Sequence, residues 1–152
     1  MYERILVAVD GGPSSELAIA QAVGLAKQLD AEVKVLFVVD DSELFFEAAY
    51  IVDPADILRG MVEVGKKALS SAARRFENAG VRCLTELAEK PVSPGNISGT
   101  IVSHAEQWPA DLIIMGTHGR RGMRRVIMGS VSEGVVSKSS RPVLLIRGET
   151  ER

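Results

Sequence analysis

The chain has 152 residues, of which 46% are hydrophobic and 25% charged, and its formal net charge is −2. This length and composition are typical of one folded domain with its own core, and they exclude a largely disordered protein. The weak charge excludes a global field that gathers nucleic acid or anionic membranes, and the single cysteine, Cys83, excludes an internal disulfide. We therefore expect one domain spanning residues 1–152.

The first predicted element is a buried strand from Ile5 to Val9. No hydrophobic leader precedes it and no apolar run is long enough to span a bilayer, so the expected location is the cytoplasm. Asp10 begins a glycine-rich turn, after which Ser14 or Ser15 is expected to cap a helix. Apolar residues four and three apart predict the buried stripe of that helix: Ala18, Ala22, Leu25 and Leu29.

The second predicted strand, Val33 to Val39, is rich in β-branched residues and is followed by polar residues. Residues 43–56 have no clear period, so their structure stays open. A long amphipathic helix follows and is expected to stop at Asn78-Ala79-Gly80. Its predicted stripe consists of Leu58, Val62, Gly65, Leu69, Ala72 and Phe76.

The remaining predicted elements continue the alternation of strands and helices. They are a strand from Val81 to Leu87, a helix with a stripe of Ile97, Ile101, Ala105 and Trp108, a strand from Leu112 to Met115, a helix over 131–137, and a strand from Val143 to Ile146. Strands that are apolar on both faces and alternate with helices predict an α/β fold, a doubly wound (Rossmann-like) five-stranded parallel sheet flanked by helices on both faces. Ligands of such sheets bind at the carboxyl ends of the strands.

One glycine-rich segment follows a strand and precedes a helix. It reads Gly116-Thr117-His118-Gly119, then nine residues, then Gly129-Ser130. Glycines permit close backbone approach, and a helix start offers free amides and a positive dipole end, so the segment predicts a phosphate site. Two alternatives stay open: Ser130 and Glu133 fit a capping box, and an ordinary turn accounts for one or two of the glycines.

This pattern, with Pro142 to Ile146 after it and Ile5 to Asp10 at the start of the chain, resembles the ATP-binding members of the universal stress protein family. The resemblance covers nearly the whole chain. It implies that ATP binds with Mg²⁺ or Mn²⁺, and it assigns a role to each matching residue. Asp10 would contact the ribose or adenine edge; Ala8, Val38 and Met115 would line the base pocket; Gly116 and Gly119 would admit the ribose and phosphates; Gly129, Ser130, Val131 and Ser132 would hold the phosphates.

Each of these assignments has an ordinary structural alternative. Asp10 is also a common turn residue, and Val38 and Met115 are also suited to the core. The sequence departs from the family pattern after the third strand, where Lys90-Pro91 opens a lengthened loop. The shape of that side of the pocket is therefore not transferred.

Other residues suggest chemistry less strongly. His118 lies within the glycine segment, but a solvated loop histidine is the commoner case, and His104 is expected to be structural. A basic cluster, Arg120, Arg121, Arg124 and Arg125, either contacts phosphate or forms a solvated loop face. No P-loop motif is present, and Cys83 is expected to be a core thiol.

These observations predict an ATP-binding regulatory or signalling protein of the stress response. We expect no catalytic residue and at most weak ATP hydrolysis, with a slow ATPase or phosphotransferase, or a nucleotide-free interaction module, as the alternatives. If the last strand lies at the sheet edge, it predicts a homodimer through Val143 to Ile146, as the resemblance also implies. The other expected partners are unidentified regulatory proteins, with neither nucleic acid nor membrane among them.

Overall fold

A computed structural model describes residues 1–41, 53–117 and 129–147. The strands are β1 (Arg4–Val9), β2 (Glu32–Val38), β3 (Cys83–Ala88), β4 (Leu112–Gly116) and β5 (Val143–Ile146). The helices are α1 (Pro13–Leu29), α2 (Pro54–Asn78), α3 (Ile97–Gln107) and α4 (Ser130–Lys138). Within these ranges, no helix combines the length and the hydrophobicity that crossing a bilayer requires.

The strands form one five-stranded parallel sheet in the order β3-β2-β1-β4-β5, which confirms the predicted fold. The chain moves outward from β1 to β3 and then crosses back to β4 on the other side of β1. The topological switch point therefore lies between β1 and β4, where parallel α/β sheets bind ligands. At this point Ala8 of β1 lies opposite Met115 of β4.

Successive strand side chains point to opposite faces, so the sheet carries two cores. One core joins α1 and α2 to alternate residues such as Val7, Val35 and Ile114. The other joins α3 and α4 to the intervening residues. Ala8, Val38 and Met115 all belong to this second core, although they come from three strands.

The start of α1 differs from the prediction. Gly12 is the N-cap and makes no side-chain capping bond, whereas Ser14 and Ser15 lie inside the first turn and are buried. The predicted stripe was also partly wrong, because Leu29 is 42% exposed and its place is taken by Ala26. The helix buries mainly small residues, alanines and serines, which allow it to approach the sheet closely.

Helix α2 confirms its predicted stripe: Gly65, Leu69, Ala72 and Phe76 are buried, and Leu58 and Val62 are partly buried against the same core. The neighbouring strand β3 is less buried than its sequence suggested, because it forms one edge of the sheet. Cys83 on β3 is accordingly only half-buried, not a full core thiol. Its burial, with a smaller contribution from the charge of Glu77, raises the pKa of the Cys83 thiol to about 11.

Candidate functional site

Asp10 organises the turn that follows β1. Its Oδ1 accepts hydrogen bonds from the Gly12 amide and the Ser15 hydroxyl, both at 2.8 Å, while its own amide donates to Ser15 Oγ at 2.9 Å. Gly11 allows this tight turn, since its φ is +82°. The turn role foreseen for Asp10 is therefore real, and Oδ2 has no hydrogen-bond partner among the residues that the structure describes.

Gly116 marks the point where α1 lies against the end of β4. A Cβ on Gly116 would meet the side chain of Ser14, with Ser14 Cβ only 2.8 Å away. Close packing of α1 on β4 thus explains why this position has no side chain. Gly116 was predicted to admit a ligand, and in the structure Ser14 occupies the α1 side of this glycine.

The carbonyl oxygen of Thr117 joins the two ends of the glycine-rich segment. It accepts the amide of Gly129 at 2.6 Å and the hydroxyl of Ser132 at 2.8 Å. The Thr117 amide in turn donates to Ile146 O at 3.0 Å. The start of α4 is therefore fixed directly to the ends of β4 and β5.

Helix α4 begins at Ser130 and has in its first turn the amides that no carbonyl of the helix itself can accept. Gly129 is its N-cap, without a side-chain capping bond, so the alternative interpretation of Ser130 and Glu133 as a capping box is wrong. The first amide to find a carbonyl is that of Glu133, which donates to Gly129 O at 3.0 Å. The amides of Ser130, Val131 and Ser132 have no acceptor within the helix, as is general for a first turn, and this end of the helix carries a positive partial charge.

The two serines at this helix start have different surroundings. Ser130 is exposed, so its hydroxyl is accessible to a ligand. Ser132 is 2% exposed, and its hydroxyl is bonded to the carbonyls of Thr117 and Gly129. Ser132 therefore offers a ligand its amide, while its hydroxyl holds the loop ends together.

Ala8, Val38 and Met115, the residues expected to line a base pocket, share one face of the sheet near its carboxyl edge. They are 7%, 9% and 6% exposed, and Val131 of α4 packs against the same cluster. The alternative interpretation of Val38 and Met115 as core residues is thus also correct. The result is an apolar cluster against which Val131, the second residue of α4, packs.

The loops after β2 and β3 are held together on the same edge of the sheet. The Gly95 amide donates to Asp41 Oδ1 at 3.0 Å, and the Val92 amide donates to Thr100 Oγ1 at 2.9 Å. The lengthened loop after Lys90 is therefore anchored at both of these points. It forms the border of the edge on the β2 and β3 side.

Some predicted residues lie outside the described ranges: Gly119, His118, Arg120, Arg121, Arg124 and Arg125. Two residues that position the site were not recognised as such from the sequence. Ser15 was considered only as a helix cap, and Thr117 was only a spacer in the glycine motif. The sequence gave a signal for Ser15 alone, because a hydroxyl five residues after Asp10, across a glycine-rich turn, can reach back to the carboxylate.

His104 lies away from this edge, in a polar cluster between α3 and the sheet. Its Nδ1 is 2.8 Å from Glu86 Oε2, and Lys34 Nζ is 3.0 Å from the same oxygen. Burial raises the pKa of Glu86, but the hydrogen bonds and charges of Lys34 and His104 outweigh burial and leave that pKa below its ordinary value. The structural role expected for His104 agrees with this contact.

The comparisons with known proteins agree with one another. Residues 1–147 match the model of the universal stress protein family. A universal stress protein of Methanocaldococcus jannaschii is 35% identical over 152 residues, covering 97% of this chain and 83% of its own length.

Solved structures share the fold. Universal stress protein UspA from Lactobacillus plantarum has a TM-score of 0.82 at 28% identity, covering 96% of this chain and 98% of its own. The universal stress protein from Archaeoglobus fulgidus in complex with dAMP has a TM-score of 0.67 at 23% identity, covering 95% and 98%. The family match and the full-length relative lead to one conclusion: this chain belongs to the universal stress protein family.

Proposed function

We propose that this protein binds ATP at the carboxyl edge of β1 and β4 and acts as a regulatory dimer rather than as a fast enzyme. The start of α4 is the observation that carries the proposal. Its free amides lie directly beyond the switch point, and the Thr117 carbonyl fixes them there through Gly129 and Ser132. A preorganised helix start of this kind suits a chain of phosphates.

The nucleoside end of the ligand is assigned to the neighbouring groups. The apolar cluster of Ala8, Val38 and Met115 suits a base, and Asp10 Oδ2, which has no hydrogen-bond partner within the described ranges, suits a ribose hydroxyl or the adenine amino group. The Archaeoglobus fulgidus protein was solved with dAMP, which supports an adenine nucleotide as a ligand for this architecture. Gly119 completes the proposed set of contacts by its place in the motif.

A divalent ion fits this proposal if the phosphates and water supply most of its ligands. Among the residues that the structure describes, no group of three or more His, Cys, Asp or Glu could hold a metal ion. Mg²⁺ commonly binds through substrate phosphates and retained waters, with few protein ligands. The exposed Ser130 hydroxyl is the described group best placed to join Mg²⁺ or Mn²⁺ there.

The proposal assigns binding, not turnover, to the site, with the whole chain acting as one domain. Most described groups at the start of α4 are amides and hydroxyls, which stabilise bound phosphate. Phosphoryl transfer also needs a positioned nucleophile and usually a base or water-orienting group. We therefore expect slow or absent ATP hydrolysis, with ATP occupancy altering a dimer surface that other proteins recognise.

Gly129→Val tests the assignment of the phosphates. The φ of Gly129 is −73°, which valine adopts without strain, so the new side chain would chiefly obstruct approach to the α4 amides. We expect titration calorimetry with Mg²⁺ and ATP to show a loss of affinity of about tenfold or more, equivalent to about 1.4 kcal/mol.

Gly24→Val is the matched control, because a Cβ on Gly24 of α1 meets nothing within 4 Å. This variant should bind ATP as the native protein does. Equal affinity in the native protein and in a folded Gly129→Val variant would show that the phosphates lie elsewhere. Absence of binding by the native protein would contradict the proposed function itself.

A further inference from the structure

The outward face of α2 carries an ordered row of basic and hydroxyl side chains, far in sequence from the proposed ATP site. Lys66, Ser70 and Arg74 follow one another at intervals of four residues, and Lys67, Ser71 and Arg75 repeat the same order one position later. Residues four apart on a helix are neighbours on one face. Each serine therefore lies between a lysine one turn before it and an arginine one turn after it.

The structure places these side chains around one shallow, open depression. A depression of about 580 Å³ is lined by Lys66, Lys67, Ser70, Ser71, Arg74, Arg75 and Asn78, which we call the α2 basic face. Along the helix axis the two serines lie between the two lysines and the two arginines. At 1.5 Å per residue, the face is about 18 Å long from Lys66 to Asn78.

Two of its four cations already have acidic partners. Lys66 Nζ is 3.6 Å from Glu63 Oε1, and Arg75 forms an ion pair of 2.9 Å with Glu16 of α1. Lys67 and Arg74 are exposed and have no ion-pair partner within the described part of the chain. The face thus keeps two uncompensated positive charges, seven residues apart on one side of the helix.

The chemistry of the face favours one class of partner. The formal net charge of the chain is −2, so the positive charge here is local and not part of a broad basic surface that would bind nucleic acid. The lining residues include no aromatic side chain on which bases could stack, and no aliphatic one that could enter a lipid layer. Carboxylates match both the arginine and lysine donors and the serine hydroxyls.

We propose that the α2 basic face is a docking surface for an acidic segment of another protein, about three helical turns long. Carboxylates of the partner pair with Lys67 and Arg74 and accept hydrogen bonds from Ser70 and Ser71. Such charges increase the rate of association and select partners whose surface is negatively charged. This interaction is independent of the proposed ATP site.

An oligoglutamate peptide of about twelve residues, which is long enough to span the face even though repulsion between its carboxylates keeps it from forming a helix, is the probe. Its binding is measured by fluorescence anisotropy at low ionic strength, where screening is weak. Lys67→Glu with Arg74→Glu should weaken binding about tenfold or more. Lys27→Glu with Arg82→Glu changes the net charge equally at exposed sites outside this face, and should weaken binding less than about twofold.

Two results would overturn the proposal. The first is an equal loss of peptide affinity in both double variants, which would mean that only net charge matters. The second is tighter binding of single-stranded DNA or of phosphatidylserine vesicles than of the peptide, which would assign the face to another partner. An oligoglutamine peptide should not bind. ATP affinity measured on the same double variants should be unchanged, so this test does not depend on the proposed function. If charge reversal impairs folding, Lys67→Ala with Arg74→Ala gives the same comparison.

Discussion

Asp111 shows at the residue scale how one carboxylate joins the two central strands. Its Oδ2 accepts the amides of Glu3 at 2.8 Å and Arg4 at 3.0 Å, where β1 begins, and its own amide donates to Arg4 O at 2.8 Å. The bond from the Glu3 amide, followed by that from Arg4, lowers the pKa of the Asp111 carboxyl below its ordinary value. Folding therefore favours the ionised form.

The sign of this shift predicts a pH dependence. A lowered folded-state pKa gives stability that is complete above the unfolded-state pKa, about 3.9, and is lost as the pH falls through the folded-state value. Asp111→Asn should be less stable than the native protein at pH 7 by less than about 1 kcal/mol, since solvent screens the site. The difference should shrink below about pH 4.

Urea unfolding between neutral and acidic pH measures this difference. Glu106→Gln is the control, because Glu106 is an exposed carboxylate on α3 with no hydrogen-bond partner in the described ranges. Its stability difference from the native protein should stay small throughout. A difference for Asp111→Asn that stayed constant, or grew, as the pH fell would refute the assigned cause.

Side-chain roles were the part of the site that sequence patterns predicted least well. The hydroxyl of Ser132 was expected to contact phosphate, but it is bonded to the Thr117 and Gly129 carbonyls. Ser130 was a candidate cap and is instead an exposed first residue of α4. Such roles depend on which carbonyls lie nearby in space, and residue spacing along the chain does not give that information.

At the scale of elements, β5 forms one edge of the sheet, and its residues alternate in directing their backbone amides and carbonyls toward β4 or toward the open edge. The carbonyls of Pro142 and Ile146 accept amides of Ile113 and Thr117, both at 3.0 Å. In a parallel ladder alternate residues bond to the same neighbour, so the amides of Val143 and Leu145 point to the open edge. These are the groups that a second copy of the chain would use.

This alternation identifies a substitution that tests the predicted homodimer through Val143 to Ile146 without disturbing the sheet. Leu145→Pro removes an outward amide without removing a bond to β4, so it should give a folded monomer. Thr85→Pro is the matched control on β3, the other edge of the sheet. The Ala88 carbonyl bonds to β2, so by the same alternation the amide of Thr85 points away from β2. Light scattering should show dimers for the native protein and for Thr85→Pro.

Two outcomes would count against this dimer. A native protein that is monomeric at micromolar concentration would exclude it. A Leu145→Pro variant that remains dimeric would place the interface on another surface. Circular dichroism of each variant separates loss of the dimer from loss of the fold.

At the scale of the whole molecule, the sequence predicted the architecture well because hydrophobic periodicity is a property of each element by itself. All five strands and the parallel, doubly wound topology are confirmed. Hydrophobic periodicity gave the wrong degree of burial where tertiary packing decides it. Leu29 is 42% exposed, and the edge strand β3 is less buried than its sequence suggested. The periodicity also gave no indication that Ser14 fills the space beside Gly116.

In the candidate site, too, the features that depend on local sequence were predicted better than those that depend on tertiary packing. Its location was predictable, because strand ends and a glycine-serine helix start identify the switch point. The convergence of Ala8, Val38 and Met115 on one face is confirmed by their shared core cluster. Their contact with a ligand stays a prediction.

The central claim is that this molecule binds an adenine nucleotide, and native mass spectrometry tests it most directly. The gently purified protein, incubated with Mg²⁺ and ATP, is compared with the Gly129→Val variant under the same conditions. The account predicts a native chain whose mass is increased by one ATP, and a variant that is largely unbound. A native chain that retains no nucleotide, beside a variant that behaves identically, would contradict it.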